Sequence, residues 1–218
     1  MTAISERGLW LSEDGARADL GAFAERARRL DPAAVIRLRQ RSADALVAWA
    51  TTGFGVLASR VVMGAVRPAD MSVGADGLLR GLSAVEPSDP VDPFYVDPGF
   101  AMDSAWRGVL PPDSGFAHVD DVPAAAVLDL ADRGVEVSKK QGSQGPPVSL
   151  LDQEVINVSG AGVTVGIPMR CIFALTAMGF VDAGAAGEVV RVRTLGAWLR
   201  IDARYGSVYR RRDLLLLV

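Results

Sequence analysis

The residues with the clearest capacity for chemistry in this chain are arginines. From Glu188 to Arg212, EVVRVRTLGAWLRIDARYGSVYRRR, they alternate with apolar side chains and then stand three together. A guanidinium is a permanent cation whose fork of N–H donors matches a carboxylate or a phosphate. Arg191, Arg193, Arg200, Arg204, Arg210, Arg211 and Arg212 are therefore candidate contacts for an anionic group or partner. The competing reading is a solvated sheet face whose arginines pair within the chain, since Asp202 stands among them. The alternation favours that reading, because a period of two puts one face of a strand in water. Only Arg210–Arg212, where alternation stops, still ask for a partner.

Other chemistry is thinly represented. His118 is the only histidine, and Asp120 and Asp121 beside it make a poor metal site without further nitrogen or sulfur ligands. Asp121 reads better as a helix cap. Asp89, Asp92, Asp97 and Asp103 do not have the spacing of a calcium loop. A Ser–His–Asp set would have to use His118, and no GxSxG elbow is present. Cys171 lies in an apolar segment with no evident base, so burial leaves it inert. Gly160, Gly162 and Gly166 in SGAGVTVG loosely resemble a dinucleotide-binding turn, but their spacing is irregular, and Thr164 and Val165 favour a strand. No catalytic, cofactor-binding or metal-ligating residue is assigned, and no cofactor is expected.

The bulk properties narrow the classes further. The 218 residues suffice for one large or two small domains with a real core. Half are apolar and the formal net charge is −3, which argues against a general polyanion binder. A single cysteine excludes an internal disulfide framework and fits a reducing compartment. The N-terminal residues lack the pattern of a signal peptide, and no apolar run reaches the length of a membrane span. The expected location is the cytoplasm. Lys139 and Lys140 are the only lysines. That imbalance points to GC-rich coding, as in actinobacteria.

These residues need elements to position them. GLWL reads as a short strand, and Ser12, Glu13 and Asp14 open a helix carrying Leu20, Phe23, Ala27 and Leu30 until Asp31-Pro32 stops it. VIRLRQ, Ala45–Ala50 and Phe54–Val66 read as three strands. Ser72 is the expected cap of a helix with Leu78, Leu79, Leu82 and Val85. Residues 87–118, dense in proline and acid, form a connector. Asp121-Val122-Pro123 starts a helix that Gly134 ends. Leu150–Val158 is strand or short helix, and Ile167–Phe180 a buried helix with Pro168 in its first turn. Three short strands follow, then an apolar tail, Leu214–Val218.

The two ends of the chain look alike. Val35-Ile36-Arg37-Leu38-Arg39 matches Val189-Val190-Arg191-Val192-Arg193, and Phe54-Gly55 matches Tyr205-Gly206. The expected fold is α+β: two similar lobes of helix and antiparallel sheet, an internal duplication, over 1–86 and 119–218 with the connector 87–118 between. Residues 85–138 carry eleven acids against two arginines, whereas the flanking blocks are more basic than acidic. The acidic middle is thus the nearest candidate cover for the arginine faces. The expected function is a non-enzymatic interaction or regulatory protein, with a protein partner or self-association preferred to nucleic acid and no membrane contact. One alternative is a winged-helix-like nucleic-acid module using the C-terminal hairpin. The would-be recognition helix, IPMRCIFALTAMGF, has one charge and is unsuited to a groove. The other alternative is an enzyme or small-ligand binder between the lobes, with its ligand unknown.

Overall fold

The structure is a computed structural model that describes residues 7–12, 14–84, 94–140, 145–160, 162–182 and 187–212. It is a mixed fold of helices on antiparallel sheets, in two compact units. The first comprises residues 1–51 and 59–108; the second comprises 52–58 and 109–218. Of the residues expected as a connector, 94–108 belong to the first unit and 109–118 to the second. The apolar tail 214–218 lies outside the described residues.

In the first unit the order is β1 (Gly8–Leu11), α1 (Asp14–Leu30), β2 (Val35–Gln40), β3 (Ala45–Thr51), β4 (Leu57–Arg67), β5 (Asp70–Gly74), α2 (Ala75–Leu82) and β6 (Tyr95–Val96). The strands run β5-β2-β3-β4, with β1 paired to β4 and to β6. Helix α1 forms where the stripe predicts: Leu20, Phe23 and Ala27 are fully buried. Its first turn holds Asp14 and its last turn Arg28 and Arg29, which suits the helix dipole. In β2, Ile36 and Leu38 face the core while Arg37 and Arg39 do not. Helix α2 begins later than expected. Ser72 is spent in β5, and Gly74 stands at the N-cap without a side-chain bond.

The second unit contains β7 (Ala117–Pro123), α3 (Ala124–Lys140), α4 (Val148–Leu151), β8 (Glu154–Gly160), β9 (Val163–Pro168), α5 (Met169–Ala177), β10 (Val189–Leu195), β11 (Trp198–Ala203) and β12 (Gly206–Arg211). Strands β12-β11-β10-β7 make one sheet, and β8–β9 is a separate hairpin. Helices α3 and α5 pack on each other, and α5 packs on β12. Residues 52–58 join this unit through Phe54. Its ring lies 5.8 Å from that of Phe173, and its carbonyl accepts a 2.6 Å bond from Arg170 Nη1.

Several boundaries differ from the sequence expectation for physical reasons. Asp121, Val122 and Pro123 end strand β7 rather than start a helix, because β10 offers them a ladder partner through Val189↔Pro123 to Arg191↔Asp121. Asp121 is therefore no cap. Gly134 does not end α3 either, since the helix runs to Lys140. The glycine is a contact: a Cβ there would lie 2.7 Å from Phe173 Cζ, so its absence lets α3 approach α5. Pro168 and Ile167 belong to β9 and its junction, and α5 starts at Met169. The β8–β9 hairpin stands between α3 and α5, where a winged helix needs the helix and turn that precede its recognition helix, so that order is not formed.

Two outcomes follow for the α3–α5 core. In an unobstructed helix Gly→Ala gains about 1 kcal/mol. Gly134→Ala should instead lose ~1–3 kcal/mol in urea unfolding, because the added methyl overpacks Phe173. Gly15→Ala, whose Cβ meets nothing within 4 Å, should be neutral or stabilising. Cys171 is buried among apolar neighbours, which pushes its thiol from 9.0 up to about 12, against weaker pulls from Arg210 and Arg170. Below pH 9 the thiol is neutral in both states. Above it the unfolded chain ionises and the folded chain does not, so stability falls as pH rises toward 12. Cys171→Ala should lose that alkaline slope, of at most ~1.4 kcal/mol per pH unit, and native Cys171 should resist thiol reagents at neutral pH.

Candidate functional site

Register converts the C-terminal sequence into a surface. Strand pairs Arg191↔Asp202↔Ser207, Arg193↔Arg200↔Tyr209 and Leu195↔Trp198↔Arg211 lie across β10, β11 and β12. Residues two apart on a strand share a face, so these nine positions form one surface of the sheet. The intervening positions Val190, Val192, Leu199, Ile201 and Val208 are at most 1% exposed and form the core face toward the helices. The strands build this way because every second residue is a β-branched or leucine side chain that needs cover.

Asp202 is the electrostatic centre of the surface. Its carboxylate accepts from Arg193 Nε at 2.9 Å, from Arg200 Nε at 2.6 Å and from Ser207 Oγ at 2.5 Å. Arg200 is also held between rings: its guanidinium carbon lies 5.6 Å from the Phe116 centroid and 5.4 Å from that of Tyr209. Those rings meet edge-to-face at 6.0 Å. A cation fixed by one carboxylate and two aromatic faces has little freedom left to lose on contact with a partner.

Strand β7 extends the surface. A bulge at Val192/Arg193 breaks the ladder, so Arg191 faces Asp121 and Arg193 faces His118. In a regular strand, residues three apart point to opposite sides. The extra residue brings His118 and Asp121 to one side, where His118 Nε2 and Asp121 Oδ1 are 2.9 Å apart. The first unit has a related arrangement. Arg37 makes two 2.7 Å bonds to Asp70, Arg39 stands 3.8 Å from it, and Trp106 lies 5.8 Å from the Arg37 guanidinium carbon. The Asp70 hydrogen bonds hold Arg37 more firmly protonated.

The seven candidate arginines separate accordingly. Arg191, Arg193, Arg200 and Arg211 share the surface, and Arg191 and Arg211 are its exposed members. Arg204 sits in the β11–β12 turn over Tyr205, at 5.5 Å. Arg210 is on the opposite face, opposite Leu199, where it lies 3.4 Å from Asp152, the carboxylate that also pairs with Arg170. Arg212 donates to the Gly196 carbonyl at 2.8 Å. The triple arginine is therefore not one cluster, because the period of two continues through it. Phe116, Trp198 and Tyr209 belong to this surface without being among the residues that the sequence singles out. The signal available for Trp198 and Tyr209 was their parity with Arg200 and Arg211.

The remaining motifs resolve structurally. Gly160 and Gly166 lie in the β8–β9 hairpin, pressed against the Val119 carbonyl and the Glu154 carboxylate, with no room for a phosphate. Among the described residues no three His, Cys, Asp or Glu side chains gather as a metal site. No described helix is long and apolar enough to cross a membrane.

Residues 4–108 match the family model of a domain of unknown function (DUF8010), and residues 111–215 match that of a second domain of unknown function (DUF8185). No curated protein matches the chain. Among solved structures it is similar to the DNA polymerase sliding clamp from Caulobacter crescentus, at 13% identity and a TM-score of 0.55, over 94% of this chain and 65% of that one. The DNA polymerase III beta subunit from Thermotoga maritima gives 10% and 0.54, over 94% and 64%. The sliding clamp from Pseudomonas aeruginosa also gives 10% and 0.54, over 94% and 63%. This chain thus spans somewhat less than two thirds of the length of those proteins. At such identities the likeness is one of fold alone: this chain has two α+β units of similar size and is similar in fold to part of the sliding clamps.

Proposed function

We propose that this chain is a non-enzymatic interaction protein that uses a sliding-clamp-like scaffold to present the Arg191–Arg193–Arg200–Arg211 surface to a protein partner. The observation that carries this reading is the composition and order of that surface. Arginine and tryptophan are enriched among the residues that dominate protein interfaces, and here Arg191, Arg211 and Trp198 share a face on which Arg200 is already clamped by Phe116 and the buried Tyr209. The guanidiniums of Arg193 and Arg200 already bind a carboxylate, that of Asp202, which is the chemistry an acidic side chain of a partner would offer. Asp202 and Asp121 among the arginines, and a net charge of −3, weaken the surface for a phosphate backbone. The setting proposed is a bacterial cytoplasm, supported by the arginine-over-lysine composition, the lone cysteine and the bacterial sources of the similar clamps.

An internal duplication is part of the same reading. The order strand–helix–strand–strand–strand occurs as β1-α1-β2-β3-β4 and as β9-α5-β10-β11-β12. The sequence match VIRLR/VVRVR falls on β2 and β10; Phe54-Gly55 falls between β3 and β4, and Tyr205-Gly206 at the β11–β12 turn, where Gly206 begins β12.

A second reading, contact with nucleic acid, is favoured by one observation: the similar structures are DNA polymerase sliding clamps.

Two experiments separate these readings. Affinity purification of the intact chain from its source should retain a protein partner, and Arg191→Glu with Arg211→Glu should weaken it by about tenfold or more while leaving the melting temperature in place. Retention unchanged by the double reversal counts against the proposed surface. Anisotropy titrations with duplex DNA should show no binding at low salt. Binding that falls steeply as salt rises would establish the second reading instead. Deleting Leu214–Val218 tests whether any self-association runs through the tail.

A further inference from the structure

The first unit's sheet ends at β5, which among its strands pairs only with β2. An edge strand offers unpaired N–H and C=O groups to any extended chain. In a strand of five residues the central one dominates that offer, and here it is Ser72. Both of its backbone groups turn away from β2, and both are taken. The Met102 N–H donates to the Ser72 carbonyl at 2.7 Å, and the Ser72 N–H donates to Asp103 Oδ1 at 2.6 Å. Ala101 adds a single antiparallel bridge to Val73. The segment then leaves the edge in a 3-10 turn, Asp103–Ala105, and Trp106 lies 5.8 Å from the Arg37 guanidinium carbon.

This is not an additional strand. A further strand would satisfy Ser72 with a backbone carbonyl and present a new edge of its own. A carboxylate satisfies the same N–H and presents nothing for the next chain to pair with. Phe100, just before the contact, is 90% exposed.

We propose that residues 101–106 are a plug that closes the β5 edge, and that the edge beneath is a self-complementary surface for a second copy of this chain. Antiparallel pairing of β5 with its own copy about Ser72 would let the two Ser72 residues exchange both backbone bonds. It would set Met71 against the copy's Val73 and Asp70 against its Gly74, so no like charges oppose each other. The plug suppresses that pairing in the ground state.

The test uses the full chain with Asp103→Ala, and with Asp103→Asn, which keeps an acceptor, as the control. Hydrogen exchange at the Ser72 amide should accelerate by about tenfold or more in the alanine variant at low protein concentration. Sedimentation should show a concentration-dependent dimer, absent from wild type and from Asp103→Asn, in which Ser72 is protected again. A folded Asp103→Ala chain with wild-type mass at high concentration would falsify the self-complementary edge, and unchanged Ser72 exchange would remove the plug. Should Asp103→Ala fail to fold, Met102→Pro, which deletes the other contact, opens the same edge. A dimer that disappears when Arg191→Glu and Arg211→Glu are added belongs to the arginine surface, and overturns the inference.

Discussion

Everything distinctive about this chain follows from one constraint: a sheet covered by helices on one side must carry charge on the other without wasting it. Arginine every second residue meets that constraint cheaply in solubility and poorly in electrostatics, because like charges across neighbouring strands repel. Arg193 and Arg200 are direct cross-strand neighbours. They are tolerable there because Asp202, two residues from Arg200 on the same face, takes a hydrogen bond from each. In the first unit Asp70 does the same work for Arg37 and Arg39 from the neighbouring strand. A single carboxylate shared by two guanidiniums leaves positive charge over, and leaves it on a face with Trp198, Tyr209 and Phe116. The surface is therefore structurally satisfied and chemically still open.

Much of this was legible in the sequence because it is local and periodic. The alternation in VIRLRQ and VVRVRT identified strands, faces and wet arginines, and the resemblance between the two stretches falls on β2 and β10. The stripe in α1 was equally plain. What failed was punctuation. Pro123 and Gly134 have the residue types that start and stop a helix, but Pro123 completes a strand and Gly134 makes room for Phe173, a residue some forty positions away. Ser72 is a helix cap by type, while its backbone is taken by residues 102 and 103. In each case a long-range contact decides the residue's role, and no window of neighbouring residues contains it.

The arginine triplet shows the same lesson in reverse. Three adjacent cations suggest one patch only if the strand is assumed to end. Because β12 runs through Arg211, Arg210 turns to Asp152 on the helix side and Arg211 to the open side. The acidic middle, the candidate cover for the arginines, meets them among the described residues at Asp121, opposite Arg191 in the sheet, and beside Arg37. Asp103 is near Arg37, but its carboxylate is committed to the Ser72 amide, and what lies by the guanidinium is Trp106.

These placements bear on how such a fold associates. A sheet protein can recruit partners through its edges, by backbone pairing that reads little sequence, or through a face, by side chains that read a great deal. Here the outer edge of β5 is closed by a carboxylate, and a glycine of β8 lies close against the Val119 carbonyl of β7. The face of β10–β12 has no comparable cover among the described residues, apart from Phe116 over Arg200. Closing edges while leaving an ordered, side-chain-rich face exposed selects against indiscriminate pairing and in favour of one chemistry. On the proposed reading that chemistry is carboxylate recognition by fixed guanidiniums, of which Asp202 is the chain's own example. A partner would have to match the spacing of Arg191 and Arg211 around that occupied centre, because the centre itself is already filled.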